Sequence, residues 1–323
     1  MSIPTTSRFA LPAPIALDPR RETGLIPGSW MLTGLAMSIA CVAALLYDAG
    51  IAIDPRASST RLFALAFALL AAIRLLARDP ATPAQRVARD LAESVGLFMA
   101  IGLLGAVSTY PLAASTRGSI DGALQAIDQA LHFDWLSWYQ WVAAHRSLQL
   151  LGTAAYQSIF ITPALILAHY AWAERRSDAR SFLASFWLAA VTSLVAFRFI
   201  PALGPLATLW HGPVPYLPES GLYEADLLPA LRDHAVHVVD LGTLRGLVSA
   251  PSFHTVSAVL YIAAGWGIAR LRWTILALNT AMLLSTPIEG THYLADMIAG
   301  ALVAIAALAL VGVLRRTLAA RGR

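Results

Sequence analysis

The sequence predicts an all-α, polytopic integral membrane helix bundle of about eight transmembrane helices, with an interfacial helix and a long external loop. Two observations predict it. Of 323 residues, 58% are hydrophobic and 13% charged, against about 45–50% and about 25% in soluble domains. The apolar residues also gather into runs near the roughly 20 residues that a bilayer crossing needs. These runs are 30–49, 60–77, 91–110, 148–172, 182–200, 253–271, 273–288 and 293–315. The first 29 residues carry Pro4, Pro12, Pro14, Pro19 and Pro27 and no apolar stretch, so the first run is expected to be an uncleaved anchor.

All 23 basic residues are arginine, which excludes chemistry that depends on lysine, such as Schiff-base formation. They are dispersed among apolar runs and form no basic stripe, so nucleic acid is not an expected partner. Cys41 is the only cysteine, which leaves no disulfide framework and no thiolate metal cluster. Sorting the arginines between alternate connections orients the bundle. One side collects 16, namely Arg8, Arg20 and Arg21, the group from Arg74 to Arg89, Arg175 to Arg180, Arg270 and Arg272, and Arg315 to Arg323. The other side holds seven, with 12 of the 19 acidic residues. The positive-inside bias then puts both termini in the cytoplasm.

Two long connections fall on the external side. Residues 111–147 mix Trp135, Trp138, Tyr139 and Trp141 with charged groups, a composition expected of a short interfacial helix. Residues 201–252 contain seven prolines with acidic residues and histidines throughout, as expected of an external loop able to cover a site. His211, His234 and His237 share this loop, but their spacing matches no compact metal motif.

Ionisable groups at membrane depth usually mark a site, and three stand at the external ends of two runs. His254 lies in Ala250-Pro251-Ser252-Phe253-His254-Thr255. His292 and Asp296 lie in Gly290-Thr291-His292-Tyr293-Leu294-Ala295-Asp296. Four residues apart on a helix, His292 and Asp296 share a face. A carboxylate so placed can hold one imidazole nitrogen and leave the other free as nucleophile or base. Pro251 and Ser252 are helix-start signals that put His254 in a first turn, where free N–H groups attract phosphate. Gly290 is expected to permit a tight turn before the helix.

These segments resemble the second and third signature motifs of the type 2 phosphatidic acid phosphatase superfamily, over about residues 150–310. The resemblance implies that His292 attacks phosphorus to form a phosphohistidine, that Asp296 orients it and balances its charge, and that His254 protonates the leaving oxygen. It implies no metal or other cofactor, and a site on the non-cytoplasmic side, where the arginine count also puts it. The chain then divides into a cytoplasmic segment 1–29, N-terminal membrane helices with the interfacial segment 30–147, a catalytic membrane region 148–315 and a cytoplasmic tail 316–323. The expected setting is a bacterial inner membrane, with the site facing the periplasm.

The departures from the family pattern are specific. The first motif normally carries a lysine; here the nearest segment is Arg198-Phe199-Ile200-Pro201-Ala202-Leu203-Gly204-Pro205. The usual Ser-Arg before the third-motif histidine is Ser285-Thr286. The pattern is therefore more similar to the branch of inositol-phosphorylceramide synthases and related lipid phosphotransferases, a likeness the stretch Asp128 to Trp135 shares. The expected partners are the bilayer, a lipid phosphate or phospholipid donor, and water or an alcohol or lipid acceptor.

A transferring phosphoryl group still needs positive charge. Arg198, within an apolar run, is the first candidate for a substrate-binding arginine, followed by Arg232 and Arg245. Their competing roles are snorkelling for Arg198, and solvated loop pairing with Asp233 or Asp240 for the other two. Ser252 and Gly290 are the further substrate-binding candidates. Glu93 is expected near the cytoplasmic surface and Glu289 in solvent. The competing function is a lipid transporter or membrane scaffold with a histidine network, which would call for ionisable groups at the midplane and paired broken helices.

Overall fold

The computed structural model describes residues 24–321. Arg8, Arg20, Arg21 and Arg323, and most of the segment expected to precede the first helix, lie outside the described residues. The described chain is nearly all helical, and six of its helices are long and apolar enough to cross a membrane. They are α1 (Gly28–Ala49), α2 (Ser58–Leu76), α3 (Pro83–Ser115), the Arg146–Trp172 unit, α8 (Arg176–Phe199) and α13 (Leu294–Arg321). Short helices α4 (Asp121–Ala130) and α5 (Trp135–Ala144) follow α3, and the Arg146–Trp172 unit is divided into α6 (Arg146–Gln157) and α7 (Ile161–Trp172).

The external loop folds into α9 (Pro205–Leu209) and α10 (Tyr223–Arg232) before α11 (Phe253–Trp266) and α12 (Arg272–Glu289). These last two occupy the sixth and seventh of the eight expected stretches, and both fall outside the six. At about 1.5 Å per residue, the 14 residues of α11 reach about 21 Å, short of a hydrocarbon core about 30 Å thick. The 18 residues of α12 are diluted by Thr274, Asn279, Thr280, Ser285, Thr286 and Glu289. α11 is an inner helix, packed on α12, α13 and α8, whereas α12 packs on α11 and α6 along one face and exposes Trp273 and Leu284 on the other.

Burial separates lipid-facing from inner helices. α2 buries no residue, yet it exposes Leu62, Leu65 and Leu69, an arrangement that suits hydrocarbon and not water. The main core instead joins Ile166 and Leu167 of α7, Leu183 and Phe186 of α8, Val256 and Leu260 of α11. The aromatic segment departs from its expected interfacial role. Trp135 and Tyr139 are fully buried and stack at 5.1 Å, while Trp135 Nε1 donates to the Pro287 carbonyl at 2.7 Å. Trp141 is the exposed member of the group.

The two ends of the bundle carry different chemistry. At one end Arg74, Arg176 and Arg180 converge on Glu93, with Arg180 contributing the 2.6 Å contact. Arg176 also reaches Asp90 at 3.2 Å, and Asp178 receives Arg175 and Arg315. Arg180 further donates to the Ile26 carbonyl at 2.9 Å. At the other end the turn after α1 pairs with the long loop through two parallel two-residue strands, β1 (Ala52–Ile53) and β2 (Val238–Val239), in register Ala52 with Val238. His254 begins α11 at this second end, while the Gly267 carbonyl beyond its far end accepts from Arg175. The arginine-rich end and the histidine end are therefore opposite.

Because Glu93 ties α2, α3 and α8 together while Arg74 is partly exposed, Glu93→Ala is expected to lower the thermal midpoint in detergent by the equivalent of about 1.5–3 kcal/mol, the range for hydrogen bonds to charged groups. Arg74→Ala is expected to shift it much less, and equal shifts would contradict this account.

Candidate active site

Ser252 caps α11. It is fully buried, and its hydroxyl accepts from the Thr255 N–H at 3.4 Å and the Thr255 hydroxyl at 3.2 Å. Such a cap satisfies one of the free donors of a first helical turn, and it sets His254 in that turn. The His254 ring lies on Tyr156 of α6, with centroids 3.8 Å apart and planes 15° apart.

The second half of the site is a tight turn between α12 and α13. Gly290 ends α12, and Thr291 follows at φ +50°. A Cβ on Gly290 would lie 2.5 Å from His292 Cδ2 and 2.8 Å from the Thr286 carbonyl oxygen. Only glycine leaves room for this approach. His292 Nδ1 stands 3.2 Å from Asp296 Oδ1, a close ion-pair contact off the alignment of a good hydrogen bond. Asp296 is fully buried, and its Oδ2 accepts from the Tyr293 N–H at 3.1 Å. Its main-chain carbonyl accepts from the Ser252 N–H at 3.0 Å, which locks the two motifs together.

A third segment completes the frame. Asp128 of α4 is fully buried, and its carboxylate accepts from Ala295 N–H at 2.8 Å and Leu294 N–H at 2.9 Å, capping α13 from outside. Asp121 likewise receives the amides of Leu203 and Gly204. Glu289, expected in solvent, is buried because Tyr216 and the Glu219 amide close over it at 2.7 and 3.1 Å.

His254 and His292 open into a cavity of about 290 Å³. Its far wall is apolar, from Ile101 of α3 and Phe186, Ala190 and Leu194 of α8, and its near wall is polar, from Glu219, Glu224 and Arg245 of the long loop. Of the three arginines expected to bind substrate, the structure brings only Arg245 here, 4.1 Å above the Tyr223 ring. Arg198 lies beside Phe199 in a separate apolar groove between α1, α3 and α8. Arg232 is held by the Thr116 hydroxyl at 3.0 Å and the Gly118 carbonyl at 2.7 Å, and not by Asp233. Gly290 lines the cavity, whereas the Ser252 hydroxyl is occupied by capping. Among the described residues, no group of three or more His, Cys, Asp or Glu is arranged to hold a metal ion.

The family model of the PAP2 superfamily matches residues 122–310. The chain belongs to the PAP2 superfamily. Members are generally phosphatases, so membership suggests phosphoesterase activity. The match begins inside α4 and so takes in Asp128 and Trp135, upstream of the 150–310 span that the motifs alone suggested. No curated protein and no solved structure matches the chain.

Sequence reasoning missed Tyr156, Glu219 and Glu224. Tyr156 sits in an apolar run like any core aromatic, and the two glutamates carry no motif spacing that would separate them from the other acids of the loop.

Gly290→Ala is expected to displace His292 and cut phosphoesterase activity by about 10²-fold, the cost of a misplacement near 1 Å. The thermal midpoint serves as the folding control; activity within a few-fold of wild type would show that the close approach is dispensable.

Proposed function

We propose that this PAP2-superfamily protein is a multi-pass membrane enzyme that cleaves a lipid phosphoester or pyrophosphate through a phosphohistidine on His292. The observation that carries this reading is that His254 and His292, the latter in contact with Asp296, line one cavity together with both polar residues (Glu219, Arg245) and apolar ones (Ile101, Phe186, Leu194). A lipid phosphate has the same division.

In the first step the free His292 nitrogen attacks phosphorus, and the bond from phosphorus to the leaving oxygen breaks. Protonated His254 gives its proton to that oxygen, while Asp296 accepts from His292 Nδ1–H and balances the charge that develops on the ring. In the second step water or an alcohol attacks phosphorus, the phosphorus–nitrogen bond breaks, and neutral His254 takes the attacking oxygen's proton. The unpaired N–H groups at the start of α11 and the Arg245 guanidinium oppose charge on the non-bridging oxygens. Water as acceptor gives a phosphatase and an alcohol gives a phosphotransferase. We favour transfer of a phospho-headgroup to an alcohol, as in the inositol-phosphorylceramide synthase branch. Two features support this: the chain lacks the usual phosphatase lysine and arginine, and the loop carrying α9 and α10 provides a cover that can shelter an acceptor.

The lipid tail has a place to lie. The cavity and the neighbouring groove between α1, α3 and α8 share Ile101, Gly105, Ala190 and Leu194 as lining residues, and the tail is placed along these residues, from the histidines toward the groove. The arginine distribution favours both termini in the cytoplasm and the site on the external face.

With radiolabelled phosphatidate, phosphatidylinositol and isoprenyl pyrophosphate as donors, purified protein is expected to form an acid-labile, base-stable covalent adduct that His292→Ala abolishes. His254→Ala is expected to slow turnover by at least about 10²-fold, within the range for general acid–base catalysis. Turnover that survives both substitutions would favour a transporter or scaffold. Gly105→Leu tests the tail path: a Cβ there meets nothing within 4 Å, so the larger side chain is expected to raise KM for long-chain donors about 10-fold and spare short-chain ones. An equal effect on both would place the tail elsewhere.

A further inference from the structure

One buried carboxyl group that lines the cavity has no task in this mechanism. Glu224 stands in the first turn of α10, 5% exposed, and lines the cavity that His254 and His292 share. Its carboxyl group takes its own backbone N–H, but Oε2 is buried without a hydrogen-bond partner. The neighbouring carboxylates are differently placed. Glu219 receives Gln157 Nε2 at 2.5 Å, and Glu289 receives the Tyr216 hydroxyl and the Glu219 amide. Arg245 lines the same cavity but makes no salt bridge among the described residues, and its guanidinium lies on Tyr223. α10 is anchored by fully buried Leu228 and Leu231, which pack with Tyr110 and Phe197, so the carboxyl group is held in place.

A buried carboxyl oxygen without a partner is costly, and a donor from a ligand would satisfy it. Phosphate oxygens are poor partners for its ionised form, because two negative charges at contact distance repel. An ammonium group would have to share the space with Arg245. A hydroxyl fits: it carries no charge and can both donate and accept.

We propose that Glu224 is a hydroxyl-binding residue that recognises a polyol at the phosphoryl site, either the donor lipid's headgroup or the incoming acceptor. This rests on the phosphoester reading above and narrows it to hydroxyl-bearing substrates. Burial pushes the Glu224 carboxyl up to about 7, and a hydroxyl pairs with either of its forms.

The test separates binding from chemistry. In the full-length His292→Ala protein, where no covalent step can occur, affinity is measured for glycerophosphoinositol, glycerol 3-phosphate, glycerophosphoethanolamine and free inositol. With Glu224 intact, glycerophosphoinositol is expected to bind better than glycerophosphoethanolamine if the donor headgroup is the polyol, and free inositol is expected to bind if the acceptor is. Glu224→Ala is expected to weaken that polyol by about 10- to 100-fold, the range for a hydrogen bond to a charged group. Glu224→Gln, which keeps an oxygen acceptor, is expected to restore part of the binding. Removal of an unpartnered buried carboxyl is expected to leave the thermal midpoint unchanged or raised, whereas a structural role would lower it. Polyol binding that is absent or indifferent to residue 224 overturns the proposal, as does a selective loss of glycerophosphoethanolamine. Labelling of His292 in the otherwise wild-type protein reports separately on the phosphohistidine reading.

Discussion

A carboxyl group shut away from solvent at the end of a membrane helix must be satisfied by the protein itself, and Asp296 imposes that demand on everything around it. His292 Nδ1 and the Tyr293 amide approach its two oxygens, while the Asp296 carbonyl takes the Ser252 N–H. The last contact means that α11 cannot shift without disturbing the start of α13. Asp128 then supplies acceptors for the next free amides of α13, and Trp135 fixes α5 to the last turn of α12 through the Pro287 carbonyl. The short helices α4 and α5 thus act as a clamp on the turn between α12 and α13, and the family match, which begins at residue 122, takes in both.

What was legible in the sequence was the part written in local patterns. A proline and a serine before an apolar run mark a helix start, and Ser252 does cap α11. Histidine and aspartate four apart predict a shared helical face; the structure sets them at contact distance, but with His292 in the turn before α13 and only Asp296 on the helix. The sorted arginines likewise gather at one end. The remainder depends on contacts between distant segments. Asp128 and Leu294 are 166 residues apart, and Tyr156 meets His254 only because α6, packed on α12, brings its ring there. The run 148–172 reads as one apolar stretch, but it breaks at residues 158–160 ahead of Pro163, whose missing N–H leaves no bond unmade in the first turn of a new helix. α12 mixes apolar and polar residues, burying Asn279, Ser285, Thr286 and Glu289 against the protein while exposing Trp273 and Leu284, so hydropathy alone describes it poorly.

The arginines show how neutralisation decides which cations remain for a substrate. Seven of them, from Arg74 to Arg315, meet carboxylates at the end away from the histidines. There they offset one another's burial and tie helices together. Arg232 spends its donors on a hydroxyl and a carbonyl. Arg245 lies over an aromatic face in the cavity, where a cation–π contact leaves its edge donors free. A guanidinium can hold phosphate oxygens bidentately, so one well-placed arginine can do part of the work of a lysine and arginine set. The protein's lack of lysine is then compatible with phosphoryl chemistry.

The same division explains how a packed bundle can have a cavity open toward lipid. At their arginine-rich ends α3 and α8 are joined by Glu93 with Arg180 and by Asp90 with Arg176. Toward the histidine end their facing residues become small: Gly102, Gly105 and Ala106 on α3, Ala190 and Ser193 on α8. Small residues usually let membrane helices approach closely. Here they do not, because a Cβ on Gly102 or Gly105 would meet no atom within 4 Å. The ion pairs hold the helices at one end, and the space left at the other is room the protein does not fill itself. Apolar lining forfeits dispersion contacts where it meets no atoms, and the lipid substrate proposed above would supply them with its phosphate at the two histidines.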